Sequence, residues 1–329
     1  MQALTVIFGW CLLLFYSQYI LREGIAMGKT HSRLSRRKLG TMGAYFWIFI
    51  LPALVIYFVF SILPFIFTVF YSFTDYTDIH PTGLSFVGLK NYLKVLDTPV
   101  MKIAIKNSVL YAILLTGFQI ILGLPLAALL NLKLKSRNFL RAAFFFPAVF
   151  SALIVGYLWN YIMSSSQYGL INSIITSLGG ETFNFFTSAR ALFSVVLTQV
   201  WQWTGWAMVI FLANLQSIPT DLYEASEIDG ASKLKQFFTV TLPLMAPSVN
   251  VVAVTGLIGG MKVFDIIYSM TQGGPGNATQ TVMMVMMKKG ISEGFYSTGA
   301  AFGVIFFVVV LIVSGLTTKL MGKWSESIS

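Results

Sequence analysis

Gln199, Gln202, Trp203 and Trp206 recur at i, i+3, i+4 and i+7, so in a helix they share one face. Two amides beside two indoles offer hydrogen bonds together with flat apolar surface. That combination suits a sugar, which presents hydroxyls and C–H faces. The surrounding sequence is apolar, and amides in hydrocarbon are costly unless paired, so this face must look at protein or at a wet cavity. An interfacial Trp belt with Gln side chains packing between helices accounts for the same residues equally well. Farther along, Gly256, Gly259, Gly260, Lys262 and Asp265 fall within what reads as one helix. Its glycines allow close helix approach or leave room for a ligand. Lys262 and Asp265 lie three apart on one face near the outer half, where they either contact a solute or form a structural ion pair.

Other chemistry is missing. His31 and His80 sit in separate loops without a Cys or His neighbour at metal-ligand spacing, so no metal site is expected. Cys11 is the only cysteine, which rules out an intrachain disulfide. The run Met283-Met284-Val285-Met286-Met287 could attract a soft metal, but with no His or Cys nearby it reads as flexible packing. Gly28-Lys29-Thr30 imitates the end of a phosphate loop, yet Glu23 stands where the first glycine is required. The chain therefore carries no ATP site of its own, and no catalytic residue or bound cofactor is expected. Asn277-Ala278-Thr279 fits a glycosylation acceptor, with a meaning that depends on the organism.

Only membrane helices can hold these residues in place. Hydrophobic residues make up 56% of the 329 positions and charged residues 10%, and the mean hydropathy is +0.77. A soluble domain carries about 25% charged residues to cover its surface. Runs long enough to cross hydrocarbon lie at roughly 44–72, 107–131, 141–163, 191–216, 248–270 and 298–321. The fold class expected is therefore an all-α polytopic membrane protein with a six-helix core. A further apolar run at roughly 3–20 predicts an extra N-terminal helix followed by a basic stretch, giving an N-terminal segment 1–39 and a transmembrane domain 40–329. A start at Met27 is the alternative and leaves the core unchanged. Between the spans, 74–106, 164–190 and 271–297 retain apolar residues and are expected to hold short helices at the outer surface.

The net charge of +10 falls in clusters between apolar runs, which excludes a nucleic-acid partner and sets an orientation. With the stretch after residue 20 inside, fourteen Lys and Arg lie in inner loops and tails against seven in outer loops. The segment 217–247 and the C-terminus are then cytoplasmic.

That inner segment is a polar island. Pro219 suits a first helical turn, Thr220 or Asp221 can cap, and Asp221 and Glu224 favour the positive end of the helix dipole. Gly230 is placed to end this helix in the left-handed conformation. Ala231 to Thr241 can form a second helix, which Pro243 stops as the chain re-enters the membrane. Small residues at Ala225, Ser226, Gly230 and Ala231 would let another protein approach the backbone closely.

Glu224-Ala225-Ser226, Asp229-Gly230-Ala231, Phe237, Val240 and Leu242-Pro243 resemble the EAA motif of binding-protein-dependent ABC importer permeases, with Ser226 where the family usually has Ala. Phe264-Asp265 through Gly273-Gly274-Pro275, and the outer stretch Phe86 to Tyr92, are similar to the maltose and oligosaccharide branch. The resemblance covers roughly residues 44–322. It implies the six-helix type I importer core and a transport subunit that is not itself an enzyme. It implies a second permease, giving a heterodimer, and two ABC ATPase subunits that use ATP and Mg²⁺. It also implies an extracellular binding protein that delivers a sugar or oligosaccharide across the cytoplasmic membrane of a prokaryote. Residues Glu224, Ala225, Ser226, Asp229, Gly230, Ala231 and Pro243 would couple to the ATPase. In such importers the helices matching 191–216 and 248–270 contribute to a mid-membrane site, here Gln199, Gln202, Trp203, Trp206, Gly259, Lys262 and Asp265.

Rival functions fit less of the sequence. An ion-coupled secondary transporter needs ionisable or broken helices at the midplane in both halves, and leaves the 217–247 island unexplained. A permease of the same kind for a non-sugar solute stays open. A membrane enzyme would need a catalytic set within the spans, and none is present.

Overall fold

The structure, a computed structural model, describes residues 50–78, 84–132 and 134–326. The N-terminal apolar run, the basic stretch, His31, His80 and Gly28-Lys29-Thr30 lie outside the described residues. The chain falls into two compact units, one made of residues through Leu93 with Gly294–Phe307, the other of Lys94–Glu293 with Val308 onward.

In the first unit, α1 (Ile50–Ser72) is apolar throughout and passes through a π-turn at Phe58–Ile62. After it, Leu63 and Pro64 resume α-helical geometry, and Pro64, which has no N–H to give to the preceding turn, stands next to that irregular stretch. An isolated bridge joins Thr74 to Phe86, and the buried Asn91 donates Nδ2 to the carbonyls of Ser72 (2.9 Å) and Thr74 (2.7 Å). The short helix α2 (Lys90–Asp97) begins there.

The second unit is organised around α3 (Pro99–Asn131), which packs most extensively against α7 (Ala191–Ser217) and α10 (Ala246–Met261). Lipid is as apolar as Leu, so close packing rather than water exclusion must hold these helices together. Gly260 and Gly256 of α10 provide it. A Cβ on Gly260 would stand 2.6 Å from the Ala112 Cα, and one on Gly256 would stand 2.7 Å from the Thr116 Oγ1. Leu124, Ala127 and Leu130 of α3 then meet Ala207, Met208 and Phe211 of α7 and Val249 and Val252 of α10 in one cluster.

Among the described residues, four helices are long and apolar enough to cross a membrane uninterrupted: α1, α3, α7 and α13 (Tyr296–Glu326). Two bent helix pairs are the other candidate spans. The span expected at 141–163 is α4 (Arg137–Phe145), a 3₁₀ turn (Phe146–Val149) and α5 (Ala152–Ile162), with a 97° bend. Pro147 has no N–H and crowds the preceding turn, and Phe150 and Ser151 are extended. The second pair is α9 (Lys233–Leu244) and α10, bent by 62° at Met245. The span expected over 248–270 also does not run through. Helix α10 ends at Met261, and α11 (Asp265–Thr271) starts after a break at Phe264 (φ −139°, ψ −59°). The expected short helices are present as α2, α6 (Leu170–Ser177) and α12 (Val282–Met287), and Met283 and Met284 of the methionine run are buried in packing.

Candidate functional site

Two regions hold the residues singled out above. The first is the 217–247 loop. Helix α8 (Thr220–Ile228) follows Pro219 as N-cap, with no capping side chain, so neither Thr220 nor Asp221 plays that part. The helix ends as expected. Asp229 N and Ala231 N donate to the Ala225 and Ser226 carbonyls (3.1 and 3.0 Å), and Gly230 takes φ +77°. The second helix starts later than expected, at Lys233 rather than Ala231, because the Ser232 Oγ accepts from Lys235 N (3.4 Å) and so occupies the cap. Nor does Pro243 end it. A π-turn at Phe237–Thr241 carries the chain past Pro243 to Leu244, and the bend follows. Pro247, early in α10, has no N–H to return to the Pro243 carbonyl, which favours the break at that point.

Glu224, Ala225, Asp229, Gly230 and Ser232 are exposed, and Ser226 and Ala231 partly so. Apolar Ile228, Leu234 and Phe238 stand in the open, Ile228 at 87% exposure. Glu227 pairs with Lys233 across the turn, and the hydrogen bond and charge of Lys233 hold the Glu227 carboxyl below the usual range. Inside the loop, Tyr223 joins the two helices. Its hydroxyl meets the Thr241 Oγ1 (3.0 Å) and its carbonyl accepts the Gln236 Nε2 (3.4 Å).

The second region is the face of α7. Gln199, Trp203 and Trp206 are half-buried, whereas Gln202 is wholly buried. The two indoles meet edge to face with centroids 6.2 Å apart, and Trp206 packs against the α3–α7–α10 cluster. Gln202 is turned toward the 97° bend, where its Nε2 donates to the Phe150 carbonyl (2.9 Å). Broken backbone in a membrane must have its freed groups satisfied by neighbours, and this amide does so. Beside it, Gly205 lets α7 sit against the Phe144 carbonyl. The Oε1 atoms of both Gln199 and Gln202 are buried without a protein partner.

On α10, the glycines divide. Gly256 and Gly260 pack against α3, while Gly259 is exposed and a Cβ there would meet nothing within 4 Å. Lys262 and Asp265 do not share a helix face. Lys262 is the C-cap of α10, and Asp265 is the exposed first residue of α11 beyond the break. Three apart in sequence means one face only where the helix is continuous.

Sequence reasoning passed over the polar side chains that hold the breaks. Thr281 Oγ1 donates to the Val263 carbonyl (3.1 Å) between α10 and α11, and Asn160 Nδ2 to the Met270 carbonyl (2.5 Å). Asn107 of α3 donates to the carbonyls of Asn277, Ala278 and Gln280 (3.4, 3.0 and 3.0 Å), fixing the 272–281 loop. Asn214 of α7 serves the bend at Met245. The one available signal was an amide inside an apolar run, which in lipid demands a partner.

A sequence model of the family described as "Binding-protein-dependent transport system inner membrane component" matches residues 103–327. The chain is 37% identical over 266 residues to the "Trehalose/maltose transport system permease protein MalF" of Thermococcus litoralis, spanning 80% of this chain and 89% of that one. It is 34% identical over 282 residues to the "Probable starch degradation products transport system permease protein AmyD" of Thermoanaerobacterium thermosulfurigenes, spanning 85% and 95%. A chain in the crystal structure of a bacterial alginate ABC transporter, in complex with an alginate pentasaccharide-bound periplasmic protein, has the same fold. The TM-score is 0.76 at 20% identity, over 88% of this chain and 97% of that chain.

Proposed function

Because this chain belongs to the family of binding-protein-dependent transport system inner membrane components, we propose that it is one of two permease subunits of an ATP-driven importer for a sugar or oligosaccharide. The solute class rests on the relatives, whose names specify trehalose or maltose and starch degradation products. The second permease forms a heterodimer with this chain, and an external binding protein delivers the solute. Two ATPase subunits bind ATP with Mg²⁺ and hydrolyse it, and this chain supplies motion rather than chemistry.

The observation that carries the reading is the 217–247 loop. It is a helix, a left-handed glycine turn and a second helix, with small residues and bare apolar side chains facing out. Exposed Ile228, Leu234 and Phe238 on an otherwise polar loop mark an interaction surface. Glu224, Ala225, Ser226, Asp229, Gly230 and Ala231 form the part that seats in the ATPase, and Pro243 lies where the second helix leads back to the membrane. The loop and the C-terminus face the cytoplasm, in keeping with the basic residues. Gln199, Trp203, Trp206, Gly259 and Lys262 contact the solute, Gln202 supports them from behind, and Asp265 stands at the outer rim.

The test is a cysteine at Ser226 in the assembled importer. It should crosslink to the partner ATPase and stay inaccessible to a membrane-impermeant reagent added outside intact cells. Labelling from outside would end this reading.

A further inference from the structure

The bend at Met245 is where the 217–247 loop joins the membrane, and one amide holds it. Asn214, one turn before the end of α7, donates Nδ2 to the Leu244 carbonyl (3.1 Å) and to the Ser248 Oγ (3.0 Å), with the Met245 Sδ at 3.5 Å. Ser248 Oγ donates in turn to the Met245 carbonyl (2.8 Å). On the other side, Ser217 Oγ donates to the Asn214 carbonyl (2.7 Å) and toward Asn214 Oδ1 (3.4 Å). One side chain thus touches the last residue of α9, the bend and the first turn of α10, and the chain that it closes on itself runs from 214 to 248. Without this clamp, the excursion would be held by the Tyr223 hydrogen bonds between its two helices and by side-chain packing around Leu215, Met245 and Val249, none of which spans the bend with a hydrogen bond.

Its position gives the clamp a mechanical meaning. A helix bend of 62° is a place where a push applied to α9 could be absorbed by flexing instead of reaching α10. A donor bonded to Leu244 and Ser248 at once opposes that freedom, because flexing would pull the amide off both acceptors together. The same amide makes α7 a third member of the rigid piece. We propose that Asn214 is the positioning residue that locks this bend, so that the 217–247 loop, α7 and α10 move as one lever. This rests on the reading of the loop as the ATPase-docking element. It goes beyond it by naming what keeps the stroke from being lost at the bend.

The experiment measures the lever directly, in the complete importer reconstituted in lipid. Cys11 is replaced by Ser, and spin labels are placed at Asp221→Cys on the loop and Val251→Cys on α10, both exposed. Pulsed dipolar spectroscopy reads the distance between them without nucleotide and after trapping with ATP and vanadate. With Asn214 intact, one narrow distance is expected, the same in both states. With Asn214→Leu, the distribution should widen at least about twofold, and its mean should shift on trapping. A distance that changes with nucleotide while Asn214 is intact, or one equally narrow in Asn214→Leu, overturns the proposal. Should Asn214→Leu fail to assemble, Ser248→Ala removes one acceptor and leaves the carbonyl bond. It must still widen the distribution, and an unchanged width there overturns the proposal as well. The width without nucleotide tests the clamp alone. A failure of Ser226→Cys to crosslink to any ATPase counts against the importer reading and leaves that width to be read independently.

Discussion

The 217–247 loop and the α7–α10 face are both polar interruptions of an apolar chain, but they are built by different means. In the loop, the turn is made by residues a few positions apart. Ala231 bonds back to Ser226, Gly230 turns left-handed, and Ser232 caps the next helix. On the face, each piece depends on a distant partner: Gln202 on Phe150, Gly260 on Ala112, Val263 on Thr281. A locally built element can seat in another subunit without disturbing its own fold. A face assembled from breaks and crossings is inseparable from the packing that makes it.

Seven substitutions at six positions probe that contrast. Gly260→Leu should have the largest effect, because its side chain would run into the Ala112 backbone. Overpacking of that kind costs on the order of 3 kcal/mol. The subunit should fall at least about tenfold in membrane immunoblots, whereas Gly259→Leu, next to it, should leave the level unchanged and lower uptake. Gly230→Val comes second. It forces a β-branched residue to φ +77°, at about 1–3 kcal/mol of local strain. Solute uptake should fall about tenfold with the subunit still in the membrane, and Gly230→Asn, which tolerates that conformation, should retain most of it. Third, Gln202→Leu orphans the Phe150 carbonyl, at about 1–3 kcal/mol. A lower melting temperature of the purified complex would register it. Trp203→Ala removes a flat surface worth about 1 kcal/mol, so a several-fold rise in the solute concentration for half-maximal uptake is expected. The smallest effect belongs to Glu227→Gln. The Glu227–Lys233 pair is exposed, so uptake at neutral pH should change less than about twofold. Its carboxyl is held below the usual range, so any contribution it makes to loop stability is present at neutral pH and lost as pH falls below that range. The small difference between the two proteins in thermal melting should therefore vanish in acid.

What could be read from the sequence follows the same division. Among the described residues the order of apolar segments, the short helices between them and the Gly230 turn were legible, because hydropathy and turn chemistry act over a few residues. The breaks at 150–151, 245 and 262–264 were not. Pro147 announces trouble in a helix, but whether it kinks slightly or bends by 97° depends on whether a donor such as Gln202 waits nearby. Hydropathy passes straight through Lys262–Phe264, since Val263 and Phe264 are as apolar as their neighbours. The expectation that Lys262 and Asp265 share one helix face failed for that reason: helical periodicity places residues on one face only while the helix continues. The resemblance to the family rested first on the loop, whose determinants are local, while the family match itself runs over residues 103–327.

Gly259 and Gly260 are adjacent, and the chain treats them as opposites. Position 260 is fixed by the α3 backbone, so nearly any change there is purged through lost assembly. Position 259 meets nothing in its own subunit within 4 Å, so side chains of many sizes can be tried there at no folding cost. On the solute site proposed above, a lineage can therefore explore new cargo at that residue without first acquiring compensating stability. Saturation of this single codon, selected for growth on unfamiliar solutes, exploits the same freedom in the laboratory.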